Sequence, residues 1–304
     1  MNKTNNHRGL KSFVYVVILA FVSLFVWAGS QMFAHNIFSP ARQATHSLRV
    51  LTYNTHRMGM YKKPNHNLVI SYLQQCDADI LCLQEVEVHK NAHYLTLSDL
   101  KQALKKYPYT YFDFSIYNKK RQFGNAVFSK YPLVNKHTIR YESKANISSC
   151  CDMVINGDTL RLFINHLESN KLNQSDFESF FANNNTELKE EELTKKMTRA
   201  GLTRKQQAQK VKQAIKQSPH PCIVVGDFNA IPLSQTYQTI KRGLYDCFLE
   251  TNFGKLGNTF YKFHIGIRID YILCSKQLIP LACKVDKVSH SDHYPVIADI
   301  GWKK

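Results

Sequence analysis

Cys222-Ile223-Val224-Val225-Gly226-Asp227-Phe228-Asn229 is an apolar run that ends abruptly in a carboxylate and, two residues on, a carboxamide. A strand sends alternate side chains to one side, so Asp227 and Asn229 can point the same way from its mouth. Ionised groups do not enter a core unpaired, which makes such an ending a candidate site. A strand followed by an Asx turn gives the same string, and for this stretch alone that alternative stands.

Working outward, the pattern recurs. Leu48 to Tyr53 runs into Asn54, Asp79 to Gln84 into Glu85, and Leu160 to Asn165 into His166. Asp270 lies within the run Arg268 to Leu273, and Ser291-Asp292-His293 precedes the final run Tyr294 to Ile300. Turn formation explains any one of these matches but not the ordered set.

That set resembles the endonuclease/exonuclease/phosphatase superfamily, which includes pancreatic-type deoxyribonuclease, the abasic-site exonucleases, inositol polyphosphate 5-phosphatases and neutral sphingomyelinases. Its most specific pieces here are Leu83-Gln84-Glu85, Gly226-Asp227-Phe228-Asn229 and Ser291-Asp292-His293, in that order. Gly124-Asn125-Ala126-Val127-Phe128-Ser129-Lys130 is similar to the family's central strand, and the resemblance spans nearly all of residues 48–300. It implies an α/β fold: a four-layer sandwich of two mixed, mainly antiparallel sheets face to face, with helices on the outer faces. It also implies in-line attack of water on phosphorus, with a metal ion to neutralise charge and a base to hold the water.

The resemblance implies residue roles as well. Glu85 is the Mg²⁺ ligand (Mn²⁺ being the alternative ion), since this hard cation takes few carboxylates and keeps several waters. Asn54 completes or braces that metal shell, and Asp292 points toward the metal side; the plainer readings are a strand-end Asn capping a turn and a loop carboxylate. Asp227 is the general base. Asn229 holds the phosphoryl oxygen or the water, and His166 donates to a non-bridging oxygen unless it is simply a satisfied strand-end histidine. His293 stabilises the pentacovalent state or acts as acid, with Asp270 fixing its tautomer. Asn125 is a substrate-binding candidate because it opens a strand beside Gly124, where backbone approaches a ligand closely. His56, Arg57 and Arg121 lie near these strand ends, where solvated loop residues are the plainer reading.

The chain is organised as residues 1–34, a linker 35–47 and a catalytic domain 48–304. Lys3, Arg8 and Lys11 precede an uncharged apolar stretch from Phe13 to Ala28. Extended to Ala34 it reaches the roughly 20 residues a membrane span needs. It reads as an uncleaved anchor, with a cleaved secretory signal as the competitor. Either reading exports the domain, because the preceding positive charges stay in the cytoplasm. Asn65 to Cys76 reads as a helix, Ser98 to Lys106 as a short helix capped by Ser98, and Tyr109 to Phe114 as extended. Asn170 to Lys196 reads as a mobile loop and then a charged helix, and Thr203-Arg204-Lys205-Gln206 as a capping box that starts a second helix through Lys216. This insertion follows a catalytic strand, where substrate-selecting loops belong.

The net charge of +17 favours anionic partners: nucleic acid, phosphorylated headgroups or phosphorylated small molecules. Lys and Arg are spread along the chain, so no dedicated nucleic-acid arm is evident. Cys82, Cys222 and Cys274 look like core thiols, and no Cys/His spacing suggests zinc. Cys150 and Cys151, being adjacent, are poorly placed to bridge each other, although either can pair with a distant thiol in an oxidising space. The expected function is that of a monomeric, metal-dependent phosphoesterase, nuclease-like first. A phosphatase or phospholipase-C-like hydrolase comes second, and a non-catalytic binding protein on the same fold is the remoter reading.

Overall fold

The computed structural model describes residues 46–60, 62–172, 176, 187–262 and 265–303. The unit that carries the sheets comprises Gln43–Thr251 and Leu256–Lys304. Of the second unit, only Asn252–Lys255 lie among the described residues. The expected membrane segment and most of the linker lie outside them. Among the described residues no helix is long and apolar enough to cross a membrane.

The strands are β1 Ser47–Asn54, β2 Ile80–His89, β3 Tyr109–Tyr117, β4 Arg121–Ser129, β5 Leu133–Ile139, β6 Ile147–Ile155, β7 Asp158–His166, β8 Cys222–Asp227, β9 Leu244–Asp246, β10 Phe260–Lys262, β11 Ile265–Ile267, β12 Asp270–Ser275, β13 Leu278–Val285 and β14 Val296–Trp302. The helices are α1 Leu68–Gln75, α2 Leu97–Ala103, α3 Glu187–Lys216, α4 Gln235–Lys241 and α5 Cys247–Thr251. One six-stranded sheet has the order β13-β14-β1-β2-β4-β3 and the other β5-β6-β7-β8-β12-β9, with β10-β11 a separate ribbon. The β1–β2 and β7–β8 pairs are parallel, whereas β1–β14, β2–β4, β6–β7 and β8–β12 are antiparallel.

Strand alternation explains the layers. Val50, Cys82, Leu162, Ile164, Ile223, Val225 and Ile272 turn inward and form the core between the sheets. Their neighbours Leu51, Leu81 and Leu83 turn outward and pack with Ile70, Leu73, Leu100 and Leu104. On the other side Phe163, Val224, Tyr271 and Leu273 pack with Ala208, Val211, Ile215, Tyr237 and Ile240. The result is helix, sheet, sheet, helix: the expected four-layer α/β sandwich. Continuing each inward series in steps of two reaches His166 from Ile164, Asp227 from Val225 and, through Thr52, Asn54 from Val50, and Asp270 starts the series of Ile272. The fold therefore delivers these side chains to one rim of the inter-sheet layer.

Local details differ from the sequence expectation. The α2 cap is Thr96, not Ser98, because Thr96 and Asp99 form a reciprocal capping box. The expected break before Thr203 is absent: α3 is continuous, and the Thr203 hydroxyl donates to the carbonyl of Arg199 within it. Leu193, Ala200, Arg204, Gln207, Ala208, Val211 and Ile215 are its buried positions, one stripe at helical spacing. The described cysteines are free, and Cys82, Cys222 and Cys274 are buried.

Gly226 has φ 126°, and a Cβ there would stand 2.0 Å from the Asn165 carbonyl oxygen on β7. Backbone faces backbone, so neither side can yield. Gly226→Ala is expected to destabilise the fold by about 3 kcal/mol or more, strain and overpacking together. A urea melt checks this, and a midpoint close to that of the unmodified chain would refute it.

Candidate active site

Asp227 is at the centre of the rim and 1% exposed. Its Oδ1 accepts from the Asn229 backbone N–H at 2.7 Å. Its Oδ2 accepts from Asn229 Nδ2 and Asn54 Nδ2, each at 3.0 Å. Asn229 adopts φ 48°, which folds the chain back so that its amide reaches both Asp227 and the Leu167 carbonyl. The Asx turn offered as the bland alternative is thus present, and it is what positions Asn229.

Glu85 enters by a different route. By alternation it should face the outer layer, as Leu83 does. A β-bulge between Leu83 and Val86, with Glu85 at φ 52°, turns it to the rim instead. A non-glycine residue held left-handed at a strand costs about 1–3 kcal/mol, strain typical of functional positions. The Glu85 carboxylate is 24% exposed, and its Oε1 lies 3.5 Å from His166 Nε2. Asn54 Nδ2 donates to the same oxygen at 3.3 Å, while Asn54 Oδ1 accepts from His56 N–H. The amide therefore braces Glu85 and Asp227 as placed; ligation through Oδ1 requires it to turn over. The chain just beyond, His56 to Gly59, forms a left-handed turn.

The third group is the histidine pair. His293 Nδ1 lies 2.9 Å from Asp270 Oδ2, and Nε2 lies 3.8 Å from Asp227 Oδ2. Burial works against the charge on His293, but the carboxylates of Asp270 and Asp227 more than offset it and lift its pKa to about 10. Burial raises Asp227, against the pull of His293 and His166, to about 6. The rim at neutral pH thus pairs an ionised buried carboxylate with an imidazolium whose Nε2 faces it.

Two predicted positions sit differently. Asp292 Oδ1 lies 3.3 Å from His56 Nδ1, outside the Asp227 cluster. The neighbouring Ser291 hydroxyl donates to the Asn54 carbonyl at 2.8 Å and clamps this loop to the end of β1. Asn125 does not open a strand. It lies inside β4, 1% exposed, and its Nδ2 donates to the Ile147 carbonyl at 3.1 Å and approaches Ser149 Oγ at 3.3 Å. That amide ties one sheet to the other, and only its Oδ1 has no partner among the described residues.

Arg57 and Arg121 are not merely solvated: Arg57 Nε lies 3.8 Å and Arg121 Nη1 3.1 Å from the buried Glu87 carboxylate. Sequence reasoning missed two others. The Thr259 hydroxyl accepts the N–H groups of Ile269 and Asp270 at 3.0 Å and fixes the start of β12. Arg204, on α3, is buried, and its Nη1 donates to the Glu168 carbonyl and to Asn170 Oδ1, each at 2.8 Å. Burial lowers its pKa, and the carboxylates of Asp227 and Glu168 pull the other way. A threonine in an irregular loop carries no sequence signal; a buried arginine on a helix stripe carries one only once the helix is known to be continuous.

The donor set suits a hard divalent ion. Glu85 offers a partly solvated carboxylate, braced on one oxygen. Asp227, Asp270 and His293 bring one ligand-type atom each within 4.8 Å of one another, but an ion there competes with the Asp270–His293 bond.

Structures similar to this one include an endonuclease/exonuclease/phosphatase from Beutenbergia cavernae (17% identity, TM-score 0.62, covering 84% of this chain and 72% of that one). A family protein from Bacteroides thetaiotaomicron matches at 19% identity and TM-score 0.60, covering 86% and 100%. Sphingomyelinase C from Streptomyces griseocarneus matches at 18% identity and TM-score 0.55, covering 84% and 99%. At these identities the likeness is one of fold. The search of curated proteins finds no match. The profile of the Endonuclease/Exonuclease/phosphatase family matches residues 51–293, from within β1 to His293 at the rim, and the chain belongs to that family.

Proposed function

We propose that this chain is a divalent-metal-dependent phosphoesterase that hydrolyses its substrate by in-line attack of water. The observation that carries the reading is the convergence on Asp227 of two amide donors and a carboxylate-held histidine, with Glu85 braced beside them. Glu85 would hold the ion, and the ion would supply Lewis-acid stabilisation of charge on phosphorus oxygens. Asp227, raised by burial, takes the proton of the attacking water at neutral pH. Asn229 orients that water or a phosphoryl oxygen. His293, kept protonated by Asp270, donates from Nε2 to charge developing on the phosphoryl group. His166 donates to a non-bridging oxygen.

The purified chain is expected to turn over a phosphodiester with Mg²⁺ or Mn²⁺ and to stop with a chelator. Glu85→Gln should raise the Mg²⁺ concentration for half-maximal rate at least about 10-fold, since a neutral amide replaces the anionic ligand. Unchanged metal dependence in that variant removes Glu85 from the ion. We also propose, from the positive charges of Lys3, Arg8 and Lys11 ahead of the apolar stretch Phe13 to Ala28, that the domain lies on the extracytoplasmic side of a membrane, tethered by the segment before β1. An impermeant thiol reagent reaching a cysteine introduced at exposed Lys303 of intact cells supports that placement; labelling only after lysis opposes it.

A further inference from the structure

Beside the rim, between α3 and the chain that follows Asn229, lies a cavity of about 650 Å³. Leu193, Met197 and Leu202 from α3 face Ile231, Ile267 and Ile269 across it. Asn229 belongs to its wall, and that residue's Nδ2 donates to Asp227 Oδ2 at 3.0 Å, so one side chain borders both the cavity and the catalytic base. Arg204 lines it too, with Nη1 tied to the Glu168 carbonyl and Asn170. At the mouth the aliphatic groups are wet: Leu202 is 60% exposed and Ile231 46%.

An aliphatic wall of this kind favours an alkyl chain, because each methylene it takes up leaves water. Gly201 also lines the cavity, in the interior of a 30-residue helix. Glycine there weakens a helix relative to alanine. A Cβ at Gly201 would meet nothing within 4 Å, so packing does not demand the glycine, and its absent side chain leaves the cavity wider. Lys205 and Gln235 form the boundary with an adjoining groove of about 380 Å³ that also carries Lys212, Lys216 and Arg242, a positive margin suited to anionic amphiphiles.

Resting on the phosphoesterase reading above, we infer that this cavity is the subsite for an aliphatic chain, and that the substrate is an amphiphilic, lipid-type phosphodiester rather than nucleic acid. The juxtaposition that carries it is an aliphatic, glycine-widened cavity sharing Asn229 with the hydrolytic rim.

The test uses the full chain, Mg²⁺ and a series of p-nitrophenyl alkyl phosphates, from methyl to octyl, under one set of solution conditions, with plasmid DNA as a parallel arm. kcat/KM should climb with chain length, by up to about fourfold per buried methylene, and level off once the cavity is full. Gly201→Phe fills the space without breaking a contact. It should keep the methyl-ester rate within about twofold, flatten the chain-length dependence and leave Tm unchanged or higher. Turnover of the methyl ester with no gain along the series overturns the subsite and leaves the phosphoesterase reading standing. So does DNA cleavage that far outruns every ester. A fall in Tm for Gly201→Phe shows that the space beside Gly201 is not open to a ligand, which also overturns it. No turnover of any ester or of DNA brings down the phosphoesterase reading, and the subsite with it.

Discussion

Asp227→Ala is expected to lower kcat on whatever phosphoester the enzyme turns over by at least about 100-fold, the scale of a lost general base. The residue has no exposed surface to spare and takes donors from Asn54 and Asn229, so its geometry is set before substrate arrives. Burial is why this carboxylate can serve as base near neutral pH: its pKa, lifted to about 6, leaves it ionised yet basic enough to take a proton. Removing a buried carboxylate that stands close to Asp270 also relieves like-charge repulsion, so the variant should still fold, as circular dichroism can verify. A folded Asp227→Ala enzyme with full kcat would strip Asp227 of this role.

The second large effect concerns the pair Asp270–His293. Asp270→Asn should reduce kcat/KM by roughly 10²-fold to 10³-fold, since it removes both the orientation and the charge that keep the imidazole protonated. The pH profile separates this from simple damage. In the unmodified enzyme the acid limb belongs to Asp227, which must be deprotonated, so activity falls as pH drops through about 6. The alkaline limb belongs to His293, which must be protonated, so activity falls as pH rises through about 10. The two groups interact, and each limb is a property of the pair. In Asp270→Asn the alkaline limb should slide down toward the ordinary histidine value near 6.5. An alkaline limb that stays in place would mean that His293 is not the proton-bearing group.

Much of this site was legible before the fold was seen, for a physical reason. Asn54, His166 and Asp227 each continue an inward-facing series of their own strand, so periodicity alone points them at one rim. Asp270 heads such a series and is visible in the same way. Glu85 is different: its alternation points outward, and only the bulge with φ 52° brings it round. The run Asp79 to Gln84 marks Glu85 as a strand-end residue and the family resemblance implies its role, whereas alternation alone points it outward. Asn125 was misplaced because a strand interior and a strand start look alike in a run such as Gly124 to Ser129. The long helix hid Arg204 and the cavity beside it, since Thr203 to Gln206 carries a capping pattern that the continuous helix overrides.

A divalent ion held by Glu85 beside the Asp227–His293 pair is the centre of the proposed chemistry. The most direct measurement is a crystal of the protein soaked with Mn²⁺ and a non-hydrolysable phosphodiester analogue, with the metal located by anomalous scattering. The expected map shows Mn²⁺ within ligand distance of the Glu85 carboxylate and the phosphorus atom between it and Asp227. A metal seated instead among Asp227, Asp270 and His293, with Glu85 free, or no metal at either place, would contradict it.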